Sequence, residues 1–204
     1  LISDTITKPT QEMLQFMFNA EVGDDVYKQD PTVIELEDTI AQIFGMEAGL
    51  FFPSGTMANQ AAIKLHTNPG EQIIADKKIK EVCVANNLKF HLDGARIWNA
   101  LIAKKQDPKA FGQLFDTISV CLSKGLGAPI GSVLLGDKAT IHRALRIRKI
   151  LGGGMRQVGY LAAAGLYALD NNISRLAEDH RRAKELASIL NTKEQLTKIL
   201  TFKN

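Results

Sequence analysis

The chain has 204 residues, of which 45% are hydrophobic and 23% charged, enough for one well-buried domain and the start of a second. Its net charge of +3 is small for that length, and the basic residues are dispersed apart from a run at Arg143, Arg146, Arg148 and Lys149, so a nucleic-acid partner is not indicated. No apolar run approaches bilayer length and the N-terminus lacks a signal-peptide pattern; Cys83 and Cys121 sit in apolar segments without metal-ligand spacing, which predicts buried free thiols in a reducing, cytoplasmic compartment and no metal.

Residues 1–10 read as an extended arm, with Thr10 a cap for a helix over 11–19 and a turn at Gly23-Asp24-Asp25. Pro31 opens a helix to about Phe44, with Val33, Leu36, Ile40 and Ile43 at helical spacing on one face. From Gly49 the pattern becomes strand, turn, helix, repeated. Strands at about 49–52, 72–75, 88–92, 117–121 and 131–135, separated by helices, predict an α/β fold with a mostly parallel sheet and helices on both faces. The strand at 131–135 follows its predecessor closely enough to be an antiparallel partner. After Gly154 the chain reads as almost entirely helical, with Leu161, Leu166, Leu169 and Leu176 as core. The expected division is an arm with helices over 1–48, a large domain over 49–170, and a helical lead over 171–204 into a small C-terminal domain.

Four segments carry chemistry. In Ser119-Val-Cys-Leu-Ser-Lys-Gly-Leu-Gly-Ala-Pro129 one lysine, Lys124, stands at the end of an apolar strand before glycines and small residues. Desolvation there disfavours the ammonium and leaves an amine able to condense with a carbonyl, for which pyridoxal phosphate is the natural partner; the alternative is an ordinary strand-end lysine reaching water. In Phe90-His-Leu-Asp-Gly-Ala-Arg96, strand alternation puts His91 and Asp93 on one face. Asp93 suits the ring nitrogen of such a cofactor, where an anion maintains the protonated, electron-withdrawing ring. His91 either orients that carboxylate or is a satisfied core group, and Arg96 either meets a cofactor oxygen or substrate carboxylate or closes a structural ion pair.

In Phe52-Pro-Ser-Gly-Thr-Met-Ala-Asn59, small residues open a helix, so Gly55 and Thr56 can present unpaired amides to a phosphate; simple capping by Ser54 or Thr56 is the plainer alternative, and no Walker loop is present. In Leu151-Gly-Gly-Gly-Met-Arg156 three glycines mark a loop flanked by Lys149 and Arg156, basic side chains that reach an anion or simply stay solvated. Met13, Met17 and Met46 read as core packing.

Together with Ser3-Asp-Thr-Ile-Thr-Lys-Pro9 and Glu21-Val-Gly-Asp-Asp-Val-Tyr27, these segments resemble the low-specificity L-threonine aldolases, β-eliminating lyases of the fold-type-I pyridoxal-phosphate enzymes. The motifs occur in the family's order and run to about Ala187. The resemblance implies that Lys124 binds the cofactor covalently, Asp93 pairs with its ring nitrogen, and Arg96 lies near its phenolic oxygen and the substrate carboxylate. Gly55 and Thr56 would cradle the phosphate. Ser3 would lie near the substrate carboxylate, and Lys149 and Arg156 would reach a site across a subunit interface, within a homotetramer. The implied reaction is retro-aldol cleavage of a β-hydroxy-α-amino acid to glycine and an aldehyde. Another β-eliminating lyase, an aminotransferase or a non-catalytic cofactor-binding scaffold would share Lys124 and Asp93.

The departures from the family are as informative. A segment of several dozen residues that normally separates sequences like Gln72–Asp76 and Lys77–Asn86 has no counterpart, so a junction is expected between residues 76 and 77. That segment would carry the histidine that stacks on the cofactor ring and the candidates for the catalytic base. The family's small C-terminal domain with its second substrate-binding arginine is likewise not in the sequence.

Overall fold

A computed structural model describes residues 3–68, 71 and 80–192. After a 3-10 turn at Asp4–Ile6, helix α1 (Gln11–Phe18) starts at Thr10, whose hydroxyl accepts from the Met13 amide. A second 3-10 turn (Asp25–Tyr27) leads to α2 (Pro31–Phe44), which Asp30 caps and Gly45 closes in the left-handed region. Strand β1 (Ala48–Phe52) and α3 (Gly55–His66) follow, then α4 (Lys80–Ala85), β2 (His91–Gly94), α5 (Ile97–Lys104) and α6 (Pro108–Gly112). Strand β3 (Thr117–Cys121), β4 (Ser132–Gly136), α7 (Lys138–Ile150), α8 (Gly159–Asn171) and α9 (Leu176–Asn191) complete the described chain. The strand expected at 72–75 and the junction at 76/77 lie outside the described residues.

The sheet order is β1-β4-β3-β2. It is mixed, not mostly parallel: β4 runs antiparallel to both β1 and β3, and only β2 and β3 pair in parallel. The reason is local. The stretch from Leu122 to Gly131 holds the lysine loop and no crossover helix, so the chain must return beside β3 in the opposite sense. Strand β2 begins three residues later than its apolar run suggests, because the Leu88 amide still closes the end of α4 on the Cys83 carbonyl and the Phe90 amide is taken by the Asp116 carboxylate. Among the described residues β2 is an open edge of the sheet.

Period-two alternation divides the sheet between two cores. Phe51, Ile118, Val120, Val133 and Leu135 face α1, α2 and α8 in the larger cluster, with Met13, Leu36, Ile40 and Phe44 fully buried there. Leu50, Phe52 and Leu134 face α3 and α7, where Ala58, Ala61, Ala62 and Ala144 let the helices approach closely. Helices therefore cover both faces. On the α3 side, β3 continues this surface with Thr117, Ser119 and Cys121 in place of large apolar groups. That substitution of polar for apolar side chains along one half of one face is what leaves room for a site.

Candidate active site

The lysine loop is held by its backbone. The Leu122 amide bonds the Gly131 carbonyl at 3.0 Å, Ala128 bonds Leu122 at 3.2 Å, and Gly127 closes a turn onto the Lys124 carbonyl at 2.8 Å. Gly127 takes a positive φ of 81° for this turn, and the Asn172 amide holds the Leu126 carbonyl at 2.7 Å from α8. The Lys124 carbonyl also accepts from the Thr7 hydroxyl at 2.9 Å, so the N-terminal arm lies along the loop. Lys124 itself is half-buried and opens into a cleft of about 190 Å³ with Ser54, Gly55, Thr56, Asn59, Asp93, Ala95, Ser119, Cys121, Ser123 and Ser132 around it.

Four of the expected residues thus meet in one place: Lys124, Asp93, Gly55 and Thr56. Asp93 is exposed into the cleft, with one carboxylate oxygen accepting from the Ala95 amide at 3.1 Å. Gly94 behind it allows β2 to lie against β3, since a Cβ there would stand 2.4 Å from the Ser119 carbonyl oxygen. At the other end Ser54 caps α3 by accepting from Met57, which leaves the Gly55 and Thr56 amides, at the positive end of the helix, without intrahelical acceptors. The Ser132 hydroxyl is fully buried, has no hydrogen-bond partner among the described residues and lies beside Gly55. Two open amides and an unpartnered hydroxyl are a receptor for an anion, and they line the same cleft as an amine and a carboxylate. This donor set fits pyridoxal phosphate.

The other expected residues stand at the rim or beyond it. Arg96 is exposed and makes a two-pronged ion pair with Asp4 of the arm, both contacts at 2.8 Å. This pair holds the Asp4 carboxyl below its usual range, with the Lys124 charge adding to the effect. Ser3 accepts from Thr5 and caps the first turn. Arg156 bonds Asp24 through Nη1 and lies over the Tyr27 ring, while Lys149 packs along Gly154. Neither lines the cleft, although the glycine loop between them abuts Met57 in the first turn of α3.

His91 does not orient Asp93. Its Nδ1 lies 2.9 Å from the Thr117 hydroxyl and its Nε2 lies 3.1 Å from Asn59 Oδ1. His66 Nε2 reaches the same Thr117 hydroxyl at 2.9 Å, and the Ser119 hydroxyl donates to Asn59 Oδ1 at 2.6 Å. Burial pushes the His91 imidazole down to about 4, helped by the neighbouring His66, and burial lowers His66 as well. Asn59, Ser119, Cys121, Ser123 and Ser132 escaped the sequence reading. The available signal was the alternation Thr-Ile-Ser-Val-Cys over 117–121, which sets all three small polar groups on the face opposite Ile118 and Val120, and the four-residue step from Gly55 to Asn59 on one helix face.

The sequence model of the beta-eliminating lyase family matches residues 1–78 and 76–199, as two pieces that meet in the region of the expected junction. A low specificity L-threonine aldolase of Escherichia coli strain K12 is 38% identical over 260 residues, covering 93% of this chain and 78% of the relative. A probable low-specificity L-threonine aldolase 2 of Arabidopsis thaliana is 36% identical, covering 96% of this chain and 77% of the relative. The E. coli alignment is longer than the whole 204-residue chain, so several dozen of the relative's residues within it have no counterpart here. Among solved structures, a putative L-allo-threonine aldolase from Listeria monocytogenes superposes with a TM-score of 0.77 at 21% identity, covering 91% of this chain and 71% of that one.

Proposed function

The chain belongs to the beta-eliminating lyase family, and from that premise we propose that its cleft performs pyridoxal-phosphate-dependent cleavage of L-threonine and L-allo-threonine to glycine and acetaldehyde. The observation that carries the reading is the meeting of Lys124, Asp93 and the open end of α3 in one cleft. When bound, pyridoxal phosphate supplies an aldehyde that condenses with amines and a ring that withdraws electrons from the bond to be broken. The residues of the chain do the rest. Gly55 and Thr56 hold the phosphate with their amides, and Lys124 offers its amine from a loop whose carbonyl is fixed on two sides. Asp93 holds a proton at the ring nitrogen.

Arg96, steadied by Asp4, stands at the rim where a substrate carboxylate enters, and the arm that bears Ser3 and Thr7 narrows that entrance. Lys149 and Arg156 reach outward from the glycine loop toward a second subunit, within a cytoplasmic homotetramer. The division into an arm over 1–48, a cofactor domain over 49–170 and a helical lead over 171–204 belongs to the same reading, as does an absent segment between residues 76 and 77. It is supported by the two-piece match to the family and by the open edge of β2. Among the described residues no helix is long and apolar enough to cross a membrane.

The test is an absorbance spectrum with added pyridoxal phosphate, run beside Lys124→Ala, followed by glycine and acetaldehyde assays with L-threonine. A Lys124-dependent band near the visible edge with both products is the expected result. A band without cleavage moves the reaction to another class on the same cofactor, and absence of a band overturns the cofactor assignment. The missing segment gives a second reading some weight: a scaffold that binds the cofactor and does not turn over would show the band alone.

A further inference from the structure

The hydrogen-bonded row beneath the cleft, from His66 through Thr117, His91 and Asn59 to Ser119, lies outside the roles assigned so far. Each contact is between 2.6 and 3.1 Å. Hydroxyl and imidazole groups can each be turned round, so direction is fixed by the ends. With Asn59 Oδ1 facing inward, it accepts from both His91 Nε2–H and the Ser119 hydroxyl, His91 Nδ1 accepts from Thr117, and Thr117 accepts from His66 Nε2–H. In that direction every inward acceptor is satisfied, and the Asn59 NH2 group is left with no partner among the described residues, on a side chain that lines the cleft. The reverse direction turns the Asn59 carbonyl toward the cleft. A pocket that offers the Gly55 and Thr56 amides to an anion, and that already carries the Asp93 carboxylate, calls for a donor.

We propose that His91 is a positioning residue: as the neutral Nε2–H tautomer it locks the Asn59 carboxamide with its NH2 facing the cleft, making Asn59 a donor to an oxygen of the bound cofactor. The inference rests on the cofactor assignment above, and it gives the cleft a means of selecting oxygen acceptors that a lone asparagine on a helix would lack. A free carboxamide rotates between its two faces. One held by two donors on its oxygen does not. The low basicity of His91 in this environment is consistent with an imidazole that remains neutral.

The test has two parts, separable from each other. Long-range nitrogen–proton NMR on the protein without cofactor, at neutral pH, reads the His91 tautomer: Nε2–H is expected, and Nδ1–H or imidazolium overturns the proposal whether or not the cofactor binds. Pyridoxal phosphate titrations followed by absorbance then compare variants. Asn59→Ala and His91→Asn, which places no donor at the Nε2 position, should each weaken binding about tenfold and shift the band, and the double variant should be no worse than either. His91→Gln, whose amide can stand in for Nε2–H, should restore affinity. Equal binding by wild type and His91→Asn, with thermal melting showing both folded, overturns the proposal. If wild type itself gives no band, the cofactor assignment fails and the tautomer alone decides how Asn59 is held.

Discussion

The floor of the cleft and its rim hold their polar groups in opposite ways. On the floor, most groups are tied to backbone or to a neighbouring side chain: the lysine loop by three backbone bonds and the Asn172 amide, Asn59 by His91 and Ser119, α3 by its Ser54 cap. On the rim, the exposed Arg96 and Arg156 and their half-buried carboxylate partners are bound mainly to each other. A floor of that kind fixes geometry, whereas a rim of exposed ion pairs is screened by water and salt and can exchange partners. Chemistry that must be positioned belongs to the first and recognition of an entering charge to the second.

The strongest blow to the floor is Lys124→Ala, which should abolish the cofactor band and all cleavage while leaving the melting midpoint near that of wild type. Retention of a band would move the covalent link to another amine. Next in size is Gly94→Ala. Its new Cβ would sit 2.4 Å from the Ser119 carbonyl oxygen, a backbone atom that cannot swing away. Forcing β2 off β3 should cost about 2 kcal/mol or more, seen as a lower denaturation midpoint, and should also disturb Asp93 and Ser119 together. An unchanged midpoint would mean that the β2 edge is looser than its register implies.

A third effect depends on pH. His91 has its basicity depressed from 6.5 to about 4 in the fold, so below pH 6.5 the unfolded chain takes up a proton that the native chain refuses. Stability is therefore lost as pH falls from 6.5 toward 4, by on the order of 3 kcal/mol. Denaturation at a series of pH values should show that slope in wild type, and a shallower one in His91→Asn. Identical slopes would assign the pH dependence to other groups and would weaken the contrast between the two regions.

How much of this was legible in the sequence follows the same division. The meeting of Lys124, Asp93, Gly55 and Thr56 in one cleft is legible because each stands at the end of an element whose bounds the sequence marks: a buried strand before glycines, a strand before a turn, and a Ser-Gly-Thr helix start. The caps at Thr10 and Ser54 and the helix start at Pro31 are legible for the same reason, since they are local chemistry. The sheet's mixed pairing was legible only in part, at β4. The Asn59, Ser119 and Ser132 contributions were not, because they depend on which helix lies over which strand, a fact of packing between residues 60 or more positions apart. Of the two readings open for His91, the structure favours the satisfied group: alternation puts it on the same face as Asp93, but its ring turns along the sheet to Thr117 and Asn59.

The smallest effect separates the rim from the floor most cleanly. Asp4→Asn removes the carboxylate that occupies both prongs of Arg96, and because Arg96 is exposed and Asp4 partly so the melting midpoint should scarcely move. Two consequences for substrate oppose each other. Freed of Asp4, the guanidinium is available to a substrate carboxylate, which favours binding; but it is also no longer held in place, and the arm bearing Thr7 loses one of its two ties to the site. The first predicts a lower KM for L-threonine in Asp4→Asn, the second a higher one with a lower kcat. The two-pronged geometry at 2.8 Å and the Thr7 contact to the Lys124 carbonyl favour the second, since an arm released at Asp4 would also release the lysine loop on that side. Raising the salt concentration in wild type should move KM in the same direction as Asp4→Asn and leave cofactor affinity, a property of the floor, nearly unchanged. A cofactor affinity that fell as KM rose would show that the rim and the floor are one structure after all.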